Sequence, residues 1–128
     1  MSRAQGIWDG SNTEILEATA IAKAATATSE EVDLRAIGAA QAAVQVTVVF
    51  GGSADGDAVV DILASLDGTT FDTEADQSES VSYSAGNTVV KTFKVSGIPR
   101  FKVAITNGNS AAENITVSAE IRRMVWEE

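Results

Sequence analysis

The chain has 128 residues, enough for one domain with a modest core, and its 45% hydrophobic and 21% charged content is that of a folded chain. It contains no cysteine and no histidine. That excludes disulfides, zinc–thiolate sites and thiol nucleophiles, and removes the commonest general base and transition-metal ligand. The formal charge of −9 repels phosphate backbones, so no nucleic-acid partner is expected.

Residues 1–12 are polar and contain glycine, with Ile7 and Trp8 as isolated apolar points. They are read as an N-terminal arm, either loose or docking Trp8 on a neighbouring subunit. They form no signal peptide, and no apolar run in the chain reaches membrane-spanning length. A soluble chain made in a cytoplasm is therefore expected, with no membrane partner.

The segment from Thr13 to Ala43 is rich in alanine, and propensity alone favours a helix over Thr13–Ala25. Its threonines and local alternation favour strands instead. We read a strand near Glu14–Ala22, a turn around Lys23–Ala25 and a strand near Glu31–Leu34. Arg35–Ala42, which contains Gly38, is read as a connection.

Alternation is plain beyond this point. Val44, Val46, Val48 and Phe50 share one strand face, and Val60, Ile62, Ala64 and Leu66 share another. Between them "GGSADGD" supplies a turn, and "DGTT" at Asp67–Thr70 supplies a second. The acidic, serine-rich run after Phe71 reads as a long loop or a frayed edge strand. Val89, Phe93 and Val95 then fall together, as do Phe101, Val103 and Ile105 across the turn at Pro99. Ile115, Val117, Ala119 and Ile121 close the series. Asn114-Ile115-Thr116 matches a glycosylation acceptor but reads as the start of that strand.

Strands that each bury one face must be covered by a second sheet. The fold expected is all-β: an antiparallel β-sandwich, jelly-roll or immunoglobulin-like, of about seven or eight strands over residues 13–128.

Chemistry-bearing residues are sparse. Asp55, Asp57 and Asp61 are weak candidates for Ca²⁺, because hard oxygens are spaced closely there. The EF-hand spacing and its closing glutamate are missing. Asp67-Gly68 is a turn signal, and with Phe71 and Tyr83 it forms a possible ligand loop. Glu30, Glu31, Glu74, Asp76 and Glu79 would have to flank an aromatic-lined cleft to act as a glycosidase pair. Aromatic residues are only 5% of the chain, so no enzyme, cofactor or metal is expected. Trp126, beside Met124 and Val125, either caps the core or belongs to a contact patch.

The segments "SLDGTTFDT", "AGNTVVKTFKVSGIPRFKVAITN" and "SAAENITVSAEI" resemble small virion proteins of tailed bacteriophages. The likeness covers Ser65–Thr73, Gly86–Val95 and Pro99–Asn107 most closely, and roughly residues 31–121 in all. It leaves out the arm and Glu127-Glu128. It implies a non-enzymatic viral structural protein of the virion: a capsid decoration or cement protein, or one at the neck or tail. Its partners would be the major capsid protein or other virion proteins and copies of itself, as a homo-oligomer. Ile7, Trp8, Met124 and Trp126 would make the contacts. The alternative is a carbohydrate-binding sandwich on a phage fibre or tail, which the Ser-x-Asp-Gly-x-x-Phe piece also resembles.

Overall fold

The computed structural model describes residues 5–8, 10, 12–34, 39–109 and 113–127. Ten strands lie among them: β1 (Gln5–Trp8), β2 (Thr13–Ile21), β3 (Thr26–Thr28), β4 (Val32–Asp33), β5 (Ala39–Val49), β6 (Ala58–Ser65), β7 (Gln77–Val81), β8 (Thr88–Ser96), β9 (Arg100–Asn107) and β10 (Ile115–Glu127). All pairings are antiparallel.

The first sheet runs β2–β10–β5–β8, with β1 continuing β2 along the far part of β10. The second runs β3–β9–β6–β7, with β4 continuing β3 along β9. Ten strands thus make eight rows, four to a sheet. Only β6 and β7 are consecutive strands that pair with each other; the other neighbours in sequence either cross between the sheets or run end to end. This is the winding of a jelly roll, and it decides between the two sandwich types the sequence left open.

Period-two alternation explains the core. Val44, Val46, Val48, Val60, Ile62, Phe101, Val103, Ile105 and Val117 are all fully buried between the sheets. They come from β5, β6, β9 and β10, the interior rows, where both neighbours of the strand are also strands. One aromatic from each side, Phe50 and Phe101, is buried with them.

Where β3 gives way to β4, a buried serine replaces the ladder. Ser29 donates its N–H to the carbonyl of Val103 at 2.8 Å, and its Oγ accepts the Val103 N–H at 2.9 Å. The neighbouring Glu30 N–H reaches across to the Ile15 carbonyl at 2.9 Å, stitching the two sheets together.

The open side of the sandwich, between the edge strands β7 and β8, is closed by Lys91. It occupies the inward phase of β8, yet its ammonium reaches Glu79 at 3.3 Å and donates to the Ser80 carbonyl at 2.9 Å. By occupying the Ser80 carbonyl, Lys91 discourages further strand addition to β7.

Several expectations change. Gln5–Trp8 forms β1 instead of part of a free arm; the rest of the arm, residues 1–4, 9 and 11, lies outside the described residues. The strand expected near Glu31–Leu34 is the two-residue β4, preceded by β3. Part of the connection expected at Arg35–Ala42 is the start of β5, while Gly38 lies outside the described residues. The serine-rich run contains β7 as an edge strand. Leu66 is 86% exposed. The chain bends at Ser65, which bridges to Phe71, so Leu66 projects past the end of the sandwich.

Candidate functional site

The Asp67-Gly68 hairpin is held by one carboxylate. Asp67 Oδ1 accepts the backbone N–H of Thr69 at 2.8 Å and of Thr70 at 2.9 Å, and the Ser65 hydroxyl at 3.3 Å. Ser65 Oγ in turn accepts the Gly68 N–H at 2.9 Å. Gly68 has φ +80°, and a Cβ there would meet the Arg100 guanidinium at 2.5 Å. The positive φ is what demands glycine.

Arg100 bridges Glu31 at 3.0 Å and Asp33 at 3.3 Å, which ties β4 to β9 beneath the hairpin. Acceptance by Glu31, supported by the nearby Asp33 and Asp67 charges, raises the pKa of a guanidinium that is charged at any working pH.

The hydrogen bonds from Thr70 and Thr69 hold the Asp67 carboxyl below its ordinary value of 3.8. A lowered folded-state pKa gives stability that is present above 3.8 and lost as pH falls through the folded value. Asp67→Asn is therefore expected to lower the melting temperature at neutral pH. The gap to the wild type should close as the pH falls below 3.8, which a thermal-denaturation series against pH checks.

Phe71 packs under Lys102, whose ammonium sits 4.2 Å from the ring centre. Tyr83 is not beside it. The Tyr83 N–H donates to Asp57 Oδ1 at 3.0 Å, next to the start of β6, whereas Phe71 bridges Ser65 at the end of β6. An eight-residue strand separates them, about 20–25 Å at the usual rise. The expected ligand loop of Asp67, Gly68, Phe71 and Tyr83 is thus split, because β6 and β7 place its members at opposite ends of the sandwich.

The three acidic candidates for a metal also diverge. Asp57 accepts from Tyr83 N–H, and Asp61 Oδ1 accepts the Ser78 hydroxyl at 2.7 Å across the outer face. The Asp55 N–H donates to Asn109 at 3.1 Å. Among the described residues no group of three or more Asp or Glu side chains is placed to hold a metal ion.

The four contact candidates lie on two paired strands. β1 lies along the last residues of β10, in the register Gly6↔Trp126, Ile7↔Val125 and Trp8↔Met124. Met124 is fixed from the other side by Gln41, its β5 partner, whose amide donates to the sulfur at 2.9 Å.

This corner lies at the same end of the sandwich as the Asp67 hairpin. Met124 pairs with Gln41 and Gln41 with Ser96; four residues later Arg100 pairs with Ser65. The exposed Leu66 is here too, on the rim of a depression of about 300 Å³ lined by Ala64, Ser65, Asp67, Thr70 and Asp72.

At the opposite end, Asn107 organises the loops. Its Nδ2 donates to the carbonyls of Ile21 at 3.0 Å and Glu113 at 2.9 Å, and its Oδ1 accepts the Asn109 N–H at 3.0 Å. Asn109 Oδ1 then accepts the N–H groups of Asp55 and Gly56. Sequence reasoning missed Leu66, Arg100 and Asn107. For Asn107 the signal was there: it continues the inward phase of Phe101, Val103 and Ile105.

No family model matches the chain, and no curated protein does. A solved structure does match: a chain from the structure of infectious bursal disease virus, Gx strain, at a TM-score of 0.55 and 15% identity. The match covers 97% of this chain. The fold is shared. This chain spans 32% of the length of that viral chain, so the likeness concerns one portion of a longer protein. Among the described residues no helix is long and apolar enough to cross a membrane.

Proposed function

We propose that the protein is a structural component of a virion, binding copies of itself and the outer lattice of a tailed-phage head as a decoration or cement protein. The observation that carries this reading is the fold: a jelly roll shared over 97% of the chain with part of a virus structure. The resemblance of Ser65–Thr73, Gly86–Val95 and Pro99–Asn107 to phage virion proteins supports the same role.

The mechanism is adhesion without covalent chemistry. One end of the sandwich gathers Ile7, Trp8, Met124 and Trp126 with the projecting Leu66. Aromatic and aliphatic anchors of this type carry most of the energy of protein interfaces. Many weak copies on one lattice add through avidity. A protein that binds only the assembled shell stabilises it by mass action. The chain would be made in the bacterial cytoplasm and act on the particle.

The purified chain should co-sediment with phage heads that lack it and stay in the supernatant with unassembled head subunits. Trp8→Ala or Trp126→Ala should weaken shell binding by about tenfold or more. Failure to pellet with any assembled shell overturns the reading.

A further inference from the structure

Strand β8 is paired on one side only. Among the described residues it has β5 on one edge and no strand on the other. The direction of its free groups follows from the ladder. The Phe50 N–H donates to the Asn87 carbonyl at 3.0 Å, so Asn87 faces β5. Hydrogen-bonded and non-bonded pairs then alternate along the register Thr88↔Val49, Val90↔Thr47, Thr92↔Gln45, Lys94↔Ala43, Ser96↔Gln41. The N–H and C=O groups of Thr88, Val90, Thr92, Lys94 and Ser96 therefore point out from the sheet.

The other edges are less suited to receive a strand. β3 and β4 have three and two residues. β7 has five, and Lys91 occupies its Ser80 carbonyl. β2 has nine, but its register shifts twice and it carries Glu14 and Glu17. β8 has nine residues in unbroken register and no carboxylate. In a chain of net charge −9, it lies in a stretch from Ser80 to Ala112 that contains no acidic residue. Its exposed face is neutral apart from Lys94, with Val90 53% exposed.

We propose that a second copy of this chain adds its own β8 antiparallel along this edge, about a two-fold axis through Thr92. Such an axis sets one residue opposite its own copy. Centring on Thr92 gives the longest overlap, pairing Thr88 with Ser96 and Val90 with Lys94 of the second copy. Each Lys94 then lies opposite a valine and each Lys91 opposite Phe93, so no like charges meet. Centring on Lys94 would set two ammonium groups directly against each other, which is unfavourable. The two first sheets would become one continuous sheet of eight rows, an isologous contact of the commonest symmetry.

The proposal deepens the self-association in the reading above and rests on it. Its test is made in solution without particles, so it can fail separately from shell binding. The full chain should sediment as a dimer. Val90→Pro removes an N–H that faces outward and none that faces β5, so the variant should be a monomer with unchanged circular dichroism.

Because the chain has no cysteine, single cysteines report the register. On mild oxidation Thr92→Cys should form a disulfide-linked dimer, since partners across a hydrogen-bonded pair lie about 5.5 Å apart at Cα. Lys94→Cys should not, because its own copy lies four residues along the strand, beyond the roughly 7 Å limit. A wild-type monomer at all concentrations, a Val90→Pro dimer, or equal cross-linking at both positions overturns the proposal. If Val90→Pro does not fold, the cysteine pair decides alone.

Discussion

Phe101→Ala is expected to lower the unfolding free energy by about 3–5 kcal/mol, which for a domain of this size is a large share of the total. The ring is fully buried, on β9 between β4 and β6. Among the described side chains it is, with Phe50, one of only two aromatics fully inside the sandwich, and the surrounding Val and Ile chains are stiff at χ1 and hold few alternative rotamers. The site therefore cannot collapse onto the space left behind. Guanidinium denaturation followed by tryptophan fluorescence checks it: the midpoint should fall while the slope stays constant. Phe71→Ala, at the partly exposed ring under Lys102, should cost far less.

Asn107→Ala is expected to cost about 3 kcal/mol despite removing only a small side chain. The amide is almost fully buried and serves three partners, the carbonyls of Ile21 and Glu113 and the N–H of Asn109. Alanine removes all three bonds, at roughly 1–3 kcal/mol for each group left without another partner, before water or relaxation recovers part of the loss. Asn107→Asp should be no better, because a carboxylate keeps the acceptor and loses the donor that two carbonyls need. Hydrogen exchange separates this from a packing loss: the amides of Asn109, Asp55 and Gly56, all held through Asn107 and Asn109, should lose protection first.

The interior rows were legible in the sequence because both their neighbours are strands. β5, β6, β9 and β10 have one wet and one dry face, and Val44 to Phe50 or Phe101 to Ile105 state that phase without ambiguity. The edges were harder. β7 is five residues of Gln-Ser-Glu-Ser-Val with only Val81 buried, so it has almost no apolar phase to read. The start of β5 is alanine, which has weak strand preference and is placed by its ladder with β10. Leu66 carried the right phase but stood one residue too close to Asp67-Gly68, and the bend took it out of the sheet.

The proposed contact residues were legible singly and not as a group. Ile7, Trp8, Met124 and Trp126 stand out as apolar points in polar surroundings. That they share a corner depends on β1 pairing with the far end of β10, a relation between distant segments that no local pattern contains. The reverse holds for Phe71 and Tyr83. They are close in sequence, and a regular strand drives them apart.

The position of β10 has a kinetic consequence. It is the central plank between β2 and β5, yet it is synthesised after every other described strand. Until then β2 and β5 present unsatisfied flanks, and β1 has nothing to bind. The ladder joining Gln5 to Glu127 spans nearly all the described residues, so folding should be slow, with the intermediate most prone to clumping before β10 docks.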